Sequence, residues 1–107
     1  MSKKKLITFG ERIRQLRIEQ NLPQRKVAVK LDIDASLLAK YERNERQPSK
    51  ELITKIAEIF NVNREELIKE ALTDKIAYQI LNEEADSKIL RVAEEKVEYL
   101  KAKKQND

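Results

Sequence analysis

Residues Leu22–Asn44 read LPQRKVAVKLDIDASLLAKYERN, and the fold turns on how this stretch is punctuated. Pro23 cannot continue a preceding amide ladder but suits the first turn of a new helix, so Asn21-Leu22-Pro23 ends one helix and a second begins near Pro23. Val27, Ala28 and Leu31 form a single stripe on that second helix, which is only about two turns long because the pattern breaks at Asp32-Ile33. Asp34 offers a short acceptor directly before Ala35-Ser36-Leu37-Leu38, which marks it as the N-cap of a third helix reaching about Arg43. Leu38 and Tyr41 face inward. Two short helices joined by a turn over Asp32–Asp34 make a helix-turn-helix.

The flanks support the same reading. Thr8-Phe9-Gly10-Glu11 has capping-box spacing and opens a first helix with Phe9, Ile13 and Leu16 on one face. Asn44-Glu45-Arg46-Gln47-Pro48 is a polar surface loop, with Asn44 available for a left-handed residue. Ser49 caps a fourth helix whose Leu52, Ile53, Ile56, Ala57 and Phe60 form a broad apolar stripe. Asn63 through Glu66 repeats the cap-to-Glu spacing and starts a fifth helix bearing Leu67, Ile68, Ala71 and Leu72. Thr73-Asp74 resembles a new cap, so Ile76, Ala77, Ile80 and Leu81 either extend the fifth helix or form a short sixth. After the polar 82–87 segment, a last helix aligns Ile89, Val92, Ala93, Val97 and Leu100, and the tail from Lys101 to Asp107 frays. Phe9, Tyr41 and Phe60 are core aromatics.

Composition narrows the function. The chain has 107 residues, about one domain, with no Cys, no His and one Gly. Disulfide scaffolds, zinc fingers, imidazole chemistry and Gly-rich phosphate loops are therefore excluded, and an enzyme is disfavoured. With 39% charged and 40% hydrophobic residues, the chain reads as helical and globular. Residues 1–50 carry 13 Lys and Arg against 6 Asp and Glu, a balance of +7; residues 51–107 carry 10 against 13, a balance of −3. A basic front half suggests a polyanion-binding surface, and the acidic rear half suggests self-association or solvation. No apolar run is long enough for a membrane span or a signal peptide, so a cytoplasmic location is expected. No metal, cofactor or small-molecule pocket is indicated.

Leu22-Pro23-Gln24-Arg25-Lys26-Val27-Ala28, Leu38, Tyr41-Glu42-Arg43-Asn44 and Pro48 resemble the phage-repressor-like XRE family over roughly residues 8–67. The implied fold is all-α: a five-helix repressor-like helix-turn-helix domain followed by one or two C-terminal helices. Asp32 and Asn44 stand where that family often has Gly, and Pro23 replaces a frequent Ser or Thr cap; Asp and Asn tolerate the left-handed conformation better than most residues. The resemblance implies that Ala35, Ser36, Ala39 and Lys40 face bases in a major groove, which accepts one helix. It also implies that Gln24 touches a phosphate or base, and that Arg17 pairs with Glu42 to brace the reading helix; the alternative is two separate surface charges. Arg25, Arg43, Arg46 and Gln47 flank the motif where phosphates would run. Lys3, Lys4 and Lys5 are either an arm along the DNA or a solubilising tail.

The organisation is then a basic tail over 1–7, a DNA-binding domain over 8–68 and a helical extension over 69–107. Because one motif covers few base pairs, a homodimer on a pseudo-palindromic duplex is expected, with an interface centred on Leu72, Ile76, Ile80, Ile89, Val92, Val97 and Leu100. Alternatively the last helix folds back on its own domain. The function expected is a sequence-specific, dimeric transcriptional regulator, a repressor. The competing class is a protein-interaction module, such as an antitoxin or coactivator, with secondary DNA binding. In overall organisation the chain also resembles small regulators that accompany restriction-modification or DNA-methyltransferase systems.

Overall fold

The structure is a computed structural model and describes residues 6–106. The expected arm at Lys3, Lys4 and Lys5 lies outside them. Six helices follow in order: α1 (Phe9–Glu19), α2 (Gln24–Leu31), α3 (Ala35–Glu42), α4 (Lys50–Phe60), α5 (Arg64–Asn82) and α6 (Ser87–Gln105). No strand occurs among the described residues. The fold is all-α, as its periodicity requires.

The chain divides into two compact units, the first ending at Lys75 and the second beginning at Ile76. The first contains the whole buried core. Ile13, Val27, Leu31, Leu38, Ile56 and Leu67 are its fully enclosed large side chains, one or two from each of α1 to α5. Phe9, Tyr41 and Phe60 are buried with them. Because α4 contributes Leu52, Ile53, Ile56, Ala57 and Phe60 at three- and four-residue spacing, its inner face is apolar throughout.

The amino end of α1 is held from three directions. A helix leaves its first amides without intrahelical acceptors. Thr8 Oγ1 accepts from Glu11 N at 3.2 Å, and Glu11 Oε1 accepts from Thr8 N at 3.1 Å, completing the capping box. Gly10 N donates to Asn44 Oδ1 at 3.1 Å, and Phe9 N donates to Asp74 Oδ2 at 2.6 Å. Thus the loop after α3 and the middle of α5 both terminate on the first turn of α1.

This explains how the ambiguity at Thr73-Asp74 resolves. Thr73 Oγ1 donates back to the carbonyls of Lys69 and Glu70, and Asp74 is engaged by Phe9, so neither caps a new helix. Accordingly α5 continues to Asn82 and no separate helix begins at residue 74. The tail expected to fray from Lys101 is instead helical through Gln105. Its physical support is the Glu98–Lys101 pair at 3.7 Å and the placement of Lys103 and Lys104 in the last turn, where cations favour the helix dipole.

The Asp74 carboxyl is pushed above its ordinary value by partial burial, a shift opposed by the Phe9 amide and reinforced by the charge of Glu11. The folded state therefore binds this proton more tightly than the unfolded chain. The contribution is fully present below the unfolded value of about 4 and is lost as pH rises through the folded pKa. Melts of the wild type and Asp74→Asn between about pH 3.5 and 7 should show the wild type losing ground to the variant as pH rises. A difference independent of pH would contradict this assignment.

The second unit comprises the end of α5 and α6. None of its described residues is buried, and α6 has no buried residue along its whole length. Among the described residues, no helix is long and apolar enough to cross a membrane.

Candidate nucleic-acid interface

The turn between α2 and α3 closes on Asp32, whose φ of 57° is left-handed; its amide donates toward the last carbonyls of α2. Asn44, at φ 60°, does the same after α3. Both positions where glycine would be usual are thus filled by residues that tolerate this conformation. Pro23 and Asp34 stand at the N-caps of α2 and α3 with extended backbone, but neither side chain caps an amide. For Asp34 this corrects the expected carboxylate cap. The residue is exposed, so water can serve both the carboxylate and the first amides of α3. By contrast Thr8, Ser49 and Asp86 do cap their helices with side chains.

Helix α3 has a buried side and a presented side. Leu38, Tyr41 and Glu42 are buried, whereas Ser36 and Lys40 are exposed and Ala35 and Ala39 are half-buried. The presented face therefore carries small side chains and one cation, which lets the helix axis come close to a partner surface.

Behind α3 lies a polar network. Arg17 Nε donates to Glu42 Oε2 at 2.7 Å, and its Nη2 donates to Glu42 Oε1 at 3.0 Å, a bidentate fork. The side chains retain 12% and 3% of their exposure. Arg17 Nη1 also donates to the carbonyl of Leu22 at 3.1 Å, and Gln24 Nε2 donates to Glu42 Oε1 at 3.1 Å. One carboxylate therefore ties together α1, the start of α2 and the end of α3. The Glu42 hydrogen bond raises the pKa of Arg17 further, against the opposing effect of burial.

The flanking candidates divide. Arg25, Arg46 and Gln47 are exposed, but Gln24 is half-buried and engaged with Glu42. Arg43 is exposed yet held by Glu45, with Nε to Oε2 at 2.6 Å and Nη2 to Oε1 at 3.2 Å. That hydrogen bond keeps the Glu45 carboxyl below the usual range. For Arg43 to meet a phosphate, it must exchange this carboxylate for it. In the helical extension, Leu72, Ile76, Ile89, Val92, Val97 and Leu100 are exposed and Ile80 is half-buried.

Some functional residues escape a sequence reading. Gly10 was visible only as part of a capping box, yet a Cβ there would lie 2.5 Å from the carbonyl oxygens of both Tyr41 and Glu42. Asn44 holds the end of α3 to α1 through Gly10 N and, at 2.8 Å, Thr8 Oγ1. The only signal for either is their residue type: the single glycine of the chain, and an asparagine where a turn needs positive φ. Among the described residues no group of three or more metal-ligating side chains occurs.

A family model described as Helix-turn-helix matches residues 13–67. The chain is 27% identical over 90 residues to the HTH-type transcriptional regulator ImmR of Bacillus subtilis, spanning 83% of this chain and 71% of that protein. It is 34% identical to the restriction-modification controller protein C.AhdI from Aeromonas hydrophila, with a TM-score of 0.52, over 55% of this chain and 89% of that one. The master regulator for biofilm formation SinR, solved in complex with DNA, is 29% identical with a TM-score of 0.53, over 57% of this chain and 98% of that chain.

Proposed function

Because the chain belongs to the helix-turn-helix family, in its phage-repressor-like XRE form, we propose that it is a transcriptional regulator that binds double-stranded DNA as a homodimer. In this reading α3 enters the major groove. Lys40 donates to a guanine edge, Ser36 serves either donor or acceptor, and Ala35 and Ala39 meet thymine methyls. The observation that carries it is the two-sidedness of α3: Leu38, Tyr41 and Glu42 anchor it to the core while Ser36 and Lys40 stand in solvent.

Phosphates would be met by Arg25, Arg46 and Gln47, by Arg43 after release from Glu45, and by the amino ends of α2 and α3. Those ends have no side-chain caps, and uncapped amides at a positive dipole end suit an anion. Gln24 acts first as a structural donor to Glu42. Arg17 and Glu42 brace the reading helix from behind. The role is one of binding rather than catalysis, exercised in the cytoplasm on operator DNA, with repression as its sign. No observation favours the protein-interaction module as the primary role.

Two substitutions separate reading from positioning. On a duplex selected from a random pool, Lys40→Ala should cost about 1–3 kcal/mol and relax the preference at one base pair. Arg46→Ala should weaken selected and unselected duplexes alike and reduce the slope of log affinity against log salt by about one. If Lys40→Ala weakened both duplexes equally, α3 would not be the reader.

A further inference from the structure

The chain that leaves α3 returns an anion to the presented surface. Asn44 N donates to the carbonyl of Tyr41 at 3.1 Å and Glu45 N to that of Lys40 at 2.9 Å, the paired bonds that close a helix through one left-handed residue, here Asn44 at φ 60°. The Asn44 side chain is itself bonded to Gly10 N and Thr8 Oγ1 at the start of α1. The backbone of Glu45 is therefore fixed against the last turn of α3. From there its carboxylate takes two donors of the Arg43 guanidinium, Nε at 2.6 Å and Nη2 at 3.2 Å, with the side chains 58% and 50% exposed.

This contact sits on the surface that the DNA reading needs. Between Ala35 and Gln47 the exposed charges are Lys40, Arg43, Arg46 and Glu45, because Glu42 is buried on Arg17. Glu45 is the one exposed carboxylate among them. The Arg43 hydrogen bond holds its carboxyl below the usual range, and the charge of Lys40 adds a smaller effect in the same direction. A guanidinium receives a carboxylate and a phosphate through the same planar donors.

Resting on the DNA reading above, we propose that Glu45 is an internal competitor of the phosphodiester backbone: it holds Arg43 in the free protein and so sets the affinity for duplex below what the cations of this surface would give alone. The opposite role for the same contact is orientation, with Glu45 keeping Arg43 ready for a phosphate. Charge favours competition. Arg43 and Glu45 together are neutral, so a phosphate that approaches either edge of the guanidinium gains little counterion release until the carboxylate moves off. The fixed backbone of Glu45 keeps that carboxylate beside the arriving phosphate, where like charges repel.

Binding of a mixed-sequence duplex at low salt, where exposed charges are least screened, is measured for the wild type, Glu45→Gln, Arg43→Ala and the double variant, with thermal melts alongside. Glutamine keeps the length of the side chain and removes its charge. Competition predicts that Glu45→Gln binds about twofold to fivefold more tightly than the wild type, the range that an exposed ion pair accounts for. In the Arg43→Ala background that gain should largely disappear, leaving only the smaller effect through Lys40. Unchanged or weaker binding by Glu45→Gln overturns the proposal, and weaker binding assigns Glu45 to orientation. An equal gain in both backgrounds overturns it as well, because Glu45 would then act as a general negative charge and not through Arg43. A wild type that binds no duplex at low salt overturns the DNA reading itself, and this role with it.

Discussion

Replacing Glu42 with alanine is expected to cost about 3–5 kcal/mol of stability, because it removes one partner of an ion pair buried behind α3 and leaves the Arg17 guanidinium without its counter-ion. The magnitude follows from burial. Glu42 keeps 3% of its side-chain exposure and accepts from Arg17 and from Gln24, so its loss strands donors on α1 and α2 at once. For a domain of this size, the lowering of Tm should exceed about 12 °C. The exposed Arg43–Glu45 pair provides the internal comparison, since it has similar distances but stands in solvent. Screening and side-chain entropy reduce the value of such a pair, and Glu45→Ala should scarcely move the melt. A Glu42→Ala loss no larger than that of Glu45→Ala would contradict the assignment. An Arg17→Met/Glu42→Leu double variant should recover most of the stability, because an apolar pair leaves no charge uncompensated.

Gly10→Ala should also destabilise, by about 2 kcal/mol net. Alanine favours a helix interior over glycine by about 1 kcal/mol, so a surface position would gain. At Gly10 the added carbon would lie 2.5 Å from two main-chain oxygens at the end of α3 and 2.7 Å from Asn44 Oδ1. Backbone atoms cannot rotate away, so α1 must withdraw from α3. Overpacking of this kind costs about 1–3 kcal/mol and more where strain spreads. Withdrawal also lengthens the Gly10–Asn44 hydrogen bond and loosens the loop that carries Arg46 and Gln47. Chemical denaturation of Gly10→Ala decides it, and a midpoint equal to or above the wild type would show that α1 and α3 are not in this close contact.

Both effects lie at places where the linear sequence carries uneven information. The helices of the first unit were legible because their signals are local: the Thr8 box, the Pro23 break, the Ser49 cap and the apolar periods of α4 need only neighbours within one turn. The Arg17–Glu42 pair was reached through family resemblance, since no local rule joins residues 25 apart in sequence. Gln24 shows the limit of that route. Resemblance directed it toward DNA, whereas its amide is engaged by Glu42 within the protein.

The ambiguity at Thr73-Asp74 had a different origin. Both residues are good cap formers in isolation, and what removes them from that role is a hydroxyl bond to the preceding turn and an acceptor demand from Phe9, 65 residues away. Asp34 erred in the opposite sense. Its type and place were right for a cap, but exposure leaves the carboxylate no need to close on its own helix. In α6 the apolar stripe was plain from spacing alone.

Selection of bound oligonucleotides from a random double-stranded pool by the full chain decides whether α3 reads a duplex. If it does, one pseudo-palindrome should be enriched whose half-sites lie about 34 Å apart, one helical turn, with the strongest preference where Ser36 and Lys40 would sit. A pool that binds with salt-sensitive affinity yet returns no enriched sequence would contradict it, because phosphate attraction alone would then account for everything the basic surface does.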